Sequence, residues 1–148
     1  MHTKINMIEH SAKIVGQLTE AWNRHDVEFM VKIFSPNYQG FDISETAPRH
    51  GRQGAREWIE RYLRAFPDMR FMEGQTVRQD DRLAVRWKAQ GTHLGRLLNI
   101  PPTGRTFTVQ GVSFLTFKDN LIVRGEYIWD LAELLRCLRL LPELHENA

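Results

Sequence analysis

Two side chains in this sequence sit where a proton could be moved. Asp130 closes the run Glu126-Tyr127-Ile128-Trp129-Asp130, and His93 closes an alternating run over residues 83–93. A carboxylate partly shielded from water has its charged form disfavoured and its pKa raised, which makes it a better proton acceptor near neutral pH. An imidazole can polarise a carbonyl oxygen or shuttle a proton. A carboxylate that removes a proton beside a carbonyl, opposite a donor that steadies the enolate, is sufficient for enolisation without metal or organic cofactor. Each residue also has a plainer role. Asp130 suits the N-cap of a helix starting at Leu131, and a single histidine on an apolar face is more often structural.

Other chemistries have less support. The six histidines stand at positions 2, 10, 25, 50, 93 and 145, with no HxH, HExxH or CxxC spacing, so no metal site is expected. There is no GxSxG, and Cys137 has no obvious base near it, which disfavours acyl transfer. Gly91, Gly95 and Gly104 do not lie in a strand-turn-helix context, so no phosphate cradle and no cofactor is expected. Asn23 suits a helix end as well as a pocket wall. Of the aromatic residues, most read as core, and a minority, with Phe41, Trp58, Tyr62 and Trp87 foremost, could line an apolar cavity together with Ile128.

These residues need elements to hold them. Ile8, Ala12, Val15, Leu18 and Trp22 recur every three or four positions, which predicts a helix closed by Asn23-Arg24-His25. Asp26 then caps a second helix through Ile33, and Ser35-Pro36-Asn37 breaks it. Residues 38–43 read as a short strand, 46–51 as loop, and 53–66 as a third helix ended by Pro67-Asp68. Period two then takes over. Strands are expected at 69–77, 83–93, 106–117 and 121–130, with a hairpin turn at Lys118-Asp119-Asn120. A last helix runs over residues 131–140. Along the final strand Ile122, Arg124, Glu126, Ile128 and Asp130 share one face, and Tyr127 and Trp129 the other. Both faces hold large apolar groups, which suits helices over one and a second subunit over the other.

Helices first and then a meander of long strands is an α+β arrangement. The 148 residues suit one domain, 1–148, with room for a real core. Net charge is +2, from 20 basic and 18 acidic residues mixed along the chain, with no basic stripe for nucleic acid. No apolar run is long enough for a bilayer, and the first ten residues have no signal-peptide core. Cys137 is alone, so no internal disulfide forms. A cytoplasmic location is expected.

The segments WNRHD, AFPDMRF and VRWKAQGTHLGRLLNIPPTGRTFTVQGVSFLTFKDNLIVRGEYIWDLAELLRCLRLLP resemble the SnoaL-like polyketide cyclases, also called ester cyclases. These are part of the nuclear-transport-factor-2-like superfamily, with ketosteroid isomerase and limonene-epoxide hydrolase as cousins. The resemblance covers about residues 8–142 and is most specific at FPD, GTHLG, IPPTGR and GEYIWD. It implies a cone-shaped curved mixed sheet wrapped around the helices, with a deep hydrophobic pocket and a homodimer or homotetramer. It implies cofactor-free intramolecular aldol closure of an aromatic polyketide ester, with Asp130 matching the acid-base aspartate, His93 a pocket histidine, and Asn23 an asparagine near the first helix end. The IPPTGR loop would then hold His93 at the pocket rim. Two alternatives stand beside this: an epoxide hydrolase, which wants an Asp-Arg-Asp set around a water, and a non-catalytic module that binds a small apolar molecule or serves assembly.

Overall fold

The computed structural model describes the backbone of residues 2–146 and the side chains of residues 10–146. Four helices and six strands follow in the order α1 (His2–Arg24), α2 (Val27–Ile33), β1 (Phe34–Asp42), β2 (Arg49–His50), α3 (Gly51–Ala65), β3 (Arg70–Gln79), β4 (Arg82–Thr92), β5 (Thr106–Lys118), β6 (Leu121–Trp129) and α4 (Leu131–Cys137). Ile8, the first residue of the expected apolar stripe, lies outside the described side chains.

Helix α1 ends as a helix ends when a residue can take the left-handed conformation. His25 has φ +57°, its N–H reaches the Trp22 carbonyl at 3.0 Å, and the Asp26 N–H reaches Ala21 at 2.8 Å. That pair of bonds satisfies the last carbonyls. Asp26 at once caps α2, accepting from Phe29 N–H at 3.1 Å. Chain reversal thus takes two residues and folds α2 back beside α1.

The strands form one open, curved, mixed sheet in the order β2-β1-β6-β5-β4-β3. Only β1 and β6 run parallel. The β5–β6 turn places Asp119 and Asn120 at φ +53° and +63°, the geometry of a two-residue hairpin. Three features depart from the sequence reading. Strand β1 begins at Phe34, directly after α2, because Ser35 and Pro36 pass through an irregularity in the β1–β6 register. Residues 49 and 50 form a two-residue strand on the β1 edge where only loop was expected. A shift between Thr116 and Phe117 in the β5–β6 register leaves Val123 unpaired with β5, and this bulge turns Ile122 into the core although Arg124 points out. Helix α4 stops at Cys137, three residues early, in a second left-handed ending at Arg139 (φ +58°).

One face of the sheet carries the core. Helices α1 and α3 lie against it, and α4 closes over β5. No described helix is long and apolar enough to cross a membrane.

Candidate active site

The inner face of the sheet does not close fully on the helices. A cavity remains, walled by aromatic side chains that include all four tryptophans, Trp22, Trp58, Trp87 and Trp129. Glycines make room for the rings. Tyr38 lies over Gly40, Tyr127 over Gly125, and Trp87 over Gly111; a Cβ at any of the three would come within 2.1–2.4 Å of the ring above it. The rings therefore lie down along the strands. Trp58 stacks on Tyr127 at 4.4 Å, and the Tyr38 and Tyr127 hydroxyls meet at 2.7 Å.

One carboxylate is sunk in this wall. Asp42 ends β1 with its side chain on the inner face and is 7% exposed. Its Oδ2 accepts from Trp58 Nε1 at 2.9 Å and the Tyr62 hydroxyl at 2.6 Å. Its Oδ1 accepts from Trp129 Nε1 at 3.0 Å, Ser44 N–H at 2.8 Å and the Ser44 hydroxyl at 2.7 Å. Burial pushes the carboxyl pKa up, but the bonds from Trp58, Tyr62 and Ser44 outweigh it and hold the group below its ordinary value. Asp42 is therefore an anion at neutral pH. Burial, followed by the Asp42 charge, pushes Tyr62 up, so that its hydroxyl stays protonated and donating. Behind Ser44 stands Arg61, 3.3 Å from the serine oxygen and 3.4 Å from Glu45. Among the described residues, the exposed Glu73, bonded to Thr19, is the other carboxylate of the lining, and no lysine, arginine or histidine belongs to it. Among the described residues no three His, Cys, Asp or Glu side chains are grouped to hold a metal ion.

The structure does not bring Asp130 and His93 together, which corrects the expectation that they share the pocket. Asp130 is exposed beyond the end of β6, and its Oδ1 caps α4 by accepting from Glu133 N–H at 3.0 Å. It sits with Ile128, Arg86 and Lys88 around a shallow groove on the outer face, because alternation that turns Trp129 inward turns its neighbours outward. His93 faces inward but is fully buried away from the cavity, with the Phe66 ring centred 5.8 Å from it. Its Nδ1 accepts from Thr103 N–H at 3.2 Å, and its backbone bonds Arg105 and Gly104. It does hold the loop of residues 94–104, but as an internal fastening. Burial lowers its pKa, against a smaller opposing bond from the Gly95 backbone.

Of the expected pocket residues, Trp58, Tyr62 and Trp87 line the cavity. Asn23 does not. Its amide clamps α1 to β3, donating to the Phe71 carbonyl at 3.0 Å and accepting from Phe71 N–H at 2.7 Å. Phe41 and Ile128 lie on the outer face, Phe41 beneath the Arg124 guanidinium at 4.3 Å. Arg124 itself pairs with Glu126 there, so no Asp-Arg-Asp set forms around it. Asp42, Trp129 and Ser113 were missed. The signal for Asp42 was present in the alternation Tyr38, Gly40, Asp42, which puts the acid on the same face as a core tyrosine.

A curved sheet on helices with an aromatic cavity between them defines a small α+β protein. The sequence matches the family model of SnoaL-like polyketide cyclases over residues 12–138, and the chain belongs to that family. No curated protein matches it. Among solved structures it is similar to AclR, a candidate hydroxylase from Streptomyces galilaeus (26% identity, TM-score 0.81, covering 95% of this chain and 91% of that one). It is similar also to IdmH, a candidate polyketide cyclase from Streptomyces antibioticus (27%, 0.74, 86% and 97%). A candidate SnoaL-like cyclase from Jannaschia sp. CCS1 shares the fold at 18% identity (TM-score 0.78, 90% and 94%).

Proposed function

We propose that this chain binds a flat, uncharged carbonyl compound of polyketide type in the aromatic cavity and promotes its enolisation, as the first step of an intramolecular aldol closure. The observation that carries this is the ionised Asp42 in the wall of a cavity whose described lining offers no basic side chain. Among the described residues, two carboxylates and no cation repel an anionic ligand, whereas four indoles favour a flat apolar one.

Asp42 takes the part for which Asp130 was expected. Five donors crowd about four lone-pair sites, so it is a weak base. A substrate must displace one donor, and two can yield. The Ser44 hydroxyl has the Tyr62 oxygen 2.9 Å away as an alternative partner, and Trp129 is only half buried. A weak base suffices only for an acidic carbon, one flanked by two carbonyls. The proton moves from that carbon to Asp42, the electron pair passes into the enolate, and the new alkoxide recovers the proton after ring closure. The same crowding supports a second reading, in which Asp42 only braces the wall and the protein is a binding module.

Exchange of the acidic hydrogens of a 1,3-diketone with deuterated water separates the two. Wild-type protein accelerates exchange and Asp42→Asn does not. Binding by both proteins with exchange by neither sinks the enolisation and leaves the binding module.

The outer face of the sheet exposes Ile43, Phe114 and Ile128, with Arg86, Lys88 and Arg124 beside Glu126 and Asp130. A second copy of the chain suits this face, since mixed charges around an apolar centre can pair across a two-fold axis.

A further inference from the structure

Ser113 is a half-buried polar residue on the inner face of β5, and none of the chemistry above uses it. Its Oγ lines the cavity and accepts from Trp87 Nε1 at 2.9 Å. Indole only donates, so the direction of that bond is settled. A serine hydroxyl has one hydrogen to give, and among the described residues nothing accepts it. The two carboxylates of the described lining are engaged, Asp42 by five donors and Glu73 by Thr19, while the Trp22 indole N–H is a second donor without a partner among the described residues.

Trp87 is held in place to make this bond. Its ring lies on Gly111, where a Cβ would come 2.4 Å from Cζ2, and Phe71 meets it edge-on at 5.4 Å. Strand register then sets the distance to Asp42. Asp42 pairs with Tyr127, and Tyr127 pairs with Ser113. The two groups stand in one row, two strands apart, which is roughly 10 Å across the sheet.

We propose that Ser113 is the donor that orients the ligand, taking a ketone- or ester-type carbonyl oxygen while Asp42 faces a carbon farther along the same molecule. The inference rests on the cavity being a ligand site, as read above. An unpaired hydroxyl hydrogen on an apolar wall lacks the partner that a carbonyl supplies. The Trp87 N–H polarises the hydroxyl and strengthens it as a donor.

Titration of tryptophan fluorescence with 1-indanone and with indane tests this, since the two share a ring skeleton and differ in the carbonyl. Ser113→Ala weakens 1-indanone about five-fold, the worth of one hydrogen bond, and leaves indane unchanged. Ser113→Thr, which keeps the hydroxyl, binds both as wild type does. The infrared carbonyl stretch of bound 1-indanone lies at lower wavenumber in wild type and Ser113→Thr than in Ser113→Ala. Equal weakening of both compounds, or of neither, overturns the role of Ser113 and leaves the pocket reading standing. Failure of both compounds to bind the wild-type protein overturns both.

Discussion

Asp42 has two oxygens and five donors, and that number governs what replacement does. Removing the carboxylate strands the N–H groups of Trp58, Trp129 and Ser44 and the Tyr62 hydroxyl in a dry wall. Unsatisfied buried donors cost about 1–3 kcal/mol each before relaxation. Asp42→Ala therefore loses about 3 kcal/mol in urea denaturation, some of the loss being recovered as Ser44 and Tyr62 bond each other. Asp42→Asn keeps an acceptor and loses less. A smaller loss for Ala than for Asn would show that the anion, not its bonds, is what the fold resents. Asp42 was readable in principle, since Tyr38, Gly40 and Asp42 alternate. A lone acid after a phenylalanine gives no motif, whereas Asp130 closes one.

At the scale of elements, glycine and aromatic residues act as pairs. Gly111 leaves space for the Trp87 ring, and through it sets the Ser113 bond. Gly111→Ala forces that ring aside, costing about 1–3 kcal/mol by overpacking and changing the near-ultraviolet circular dichroism. An unaltered spectrum with full stability would mean the ring has another place to lie. The bulge in β6 shows a limit of period-two reading. One extra residue sends Ile122 inward and Arg124 outward though they are two apart, so alternation counted from Asp130 backwards fails before the strand begins. Trp129, on the face opposite Asp130, belongs to the cavity.

For the whole molecule, acid acts in two stages. His93 is buried neutral with its pKa lowered, and an unfolded histidine titrates near 6.5. The unfolded chain then binds more protons below that value, so stability present above pH 6.5 declines as the pH falls. Asp42 is depressed from 3.8, and its share holds until the pH nears that value and is lost below it. Urea midpoints against pH should fall first below about 6.5 and again below about 4. His93→Gln should remove the first decline and Asp42→Asn the second. An unchanged first stage in His93→Gln would assign it to another histidine. At the same scale, Phe114→Lys with Ile128→Lys should convert a dimer to a monomer by light scattering without altering ligand binding; wild type already monomeric refutes the second copy.

Helix count, the switch from period 3.6 to period 2 and the hairpin at Asp119-Asn120 followed from local spacing in the chain, and the family from the resemblance of its segments to known members. Trp58, Tyr62 and Trp87 were found because large aromatic residues on a core stripe border whatever space is left. Which acid meets the cavity could not be read this way. Asp42 and Asp130 both end strands, and only curvature, the β6 bulge and the helix cap decide that one carboxylate is walled in by tryptophans while the other stands in water. Spacing is a property of neighbours along the chain, but three of the five donors that solvate the Asp42 charge come from residues 16 to 87 positions away.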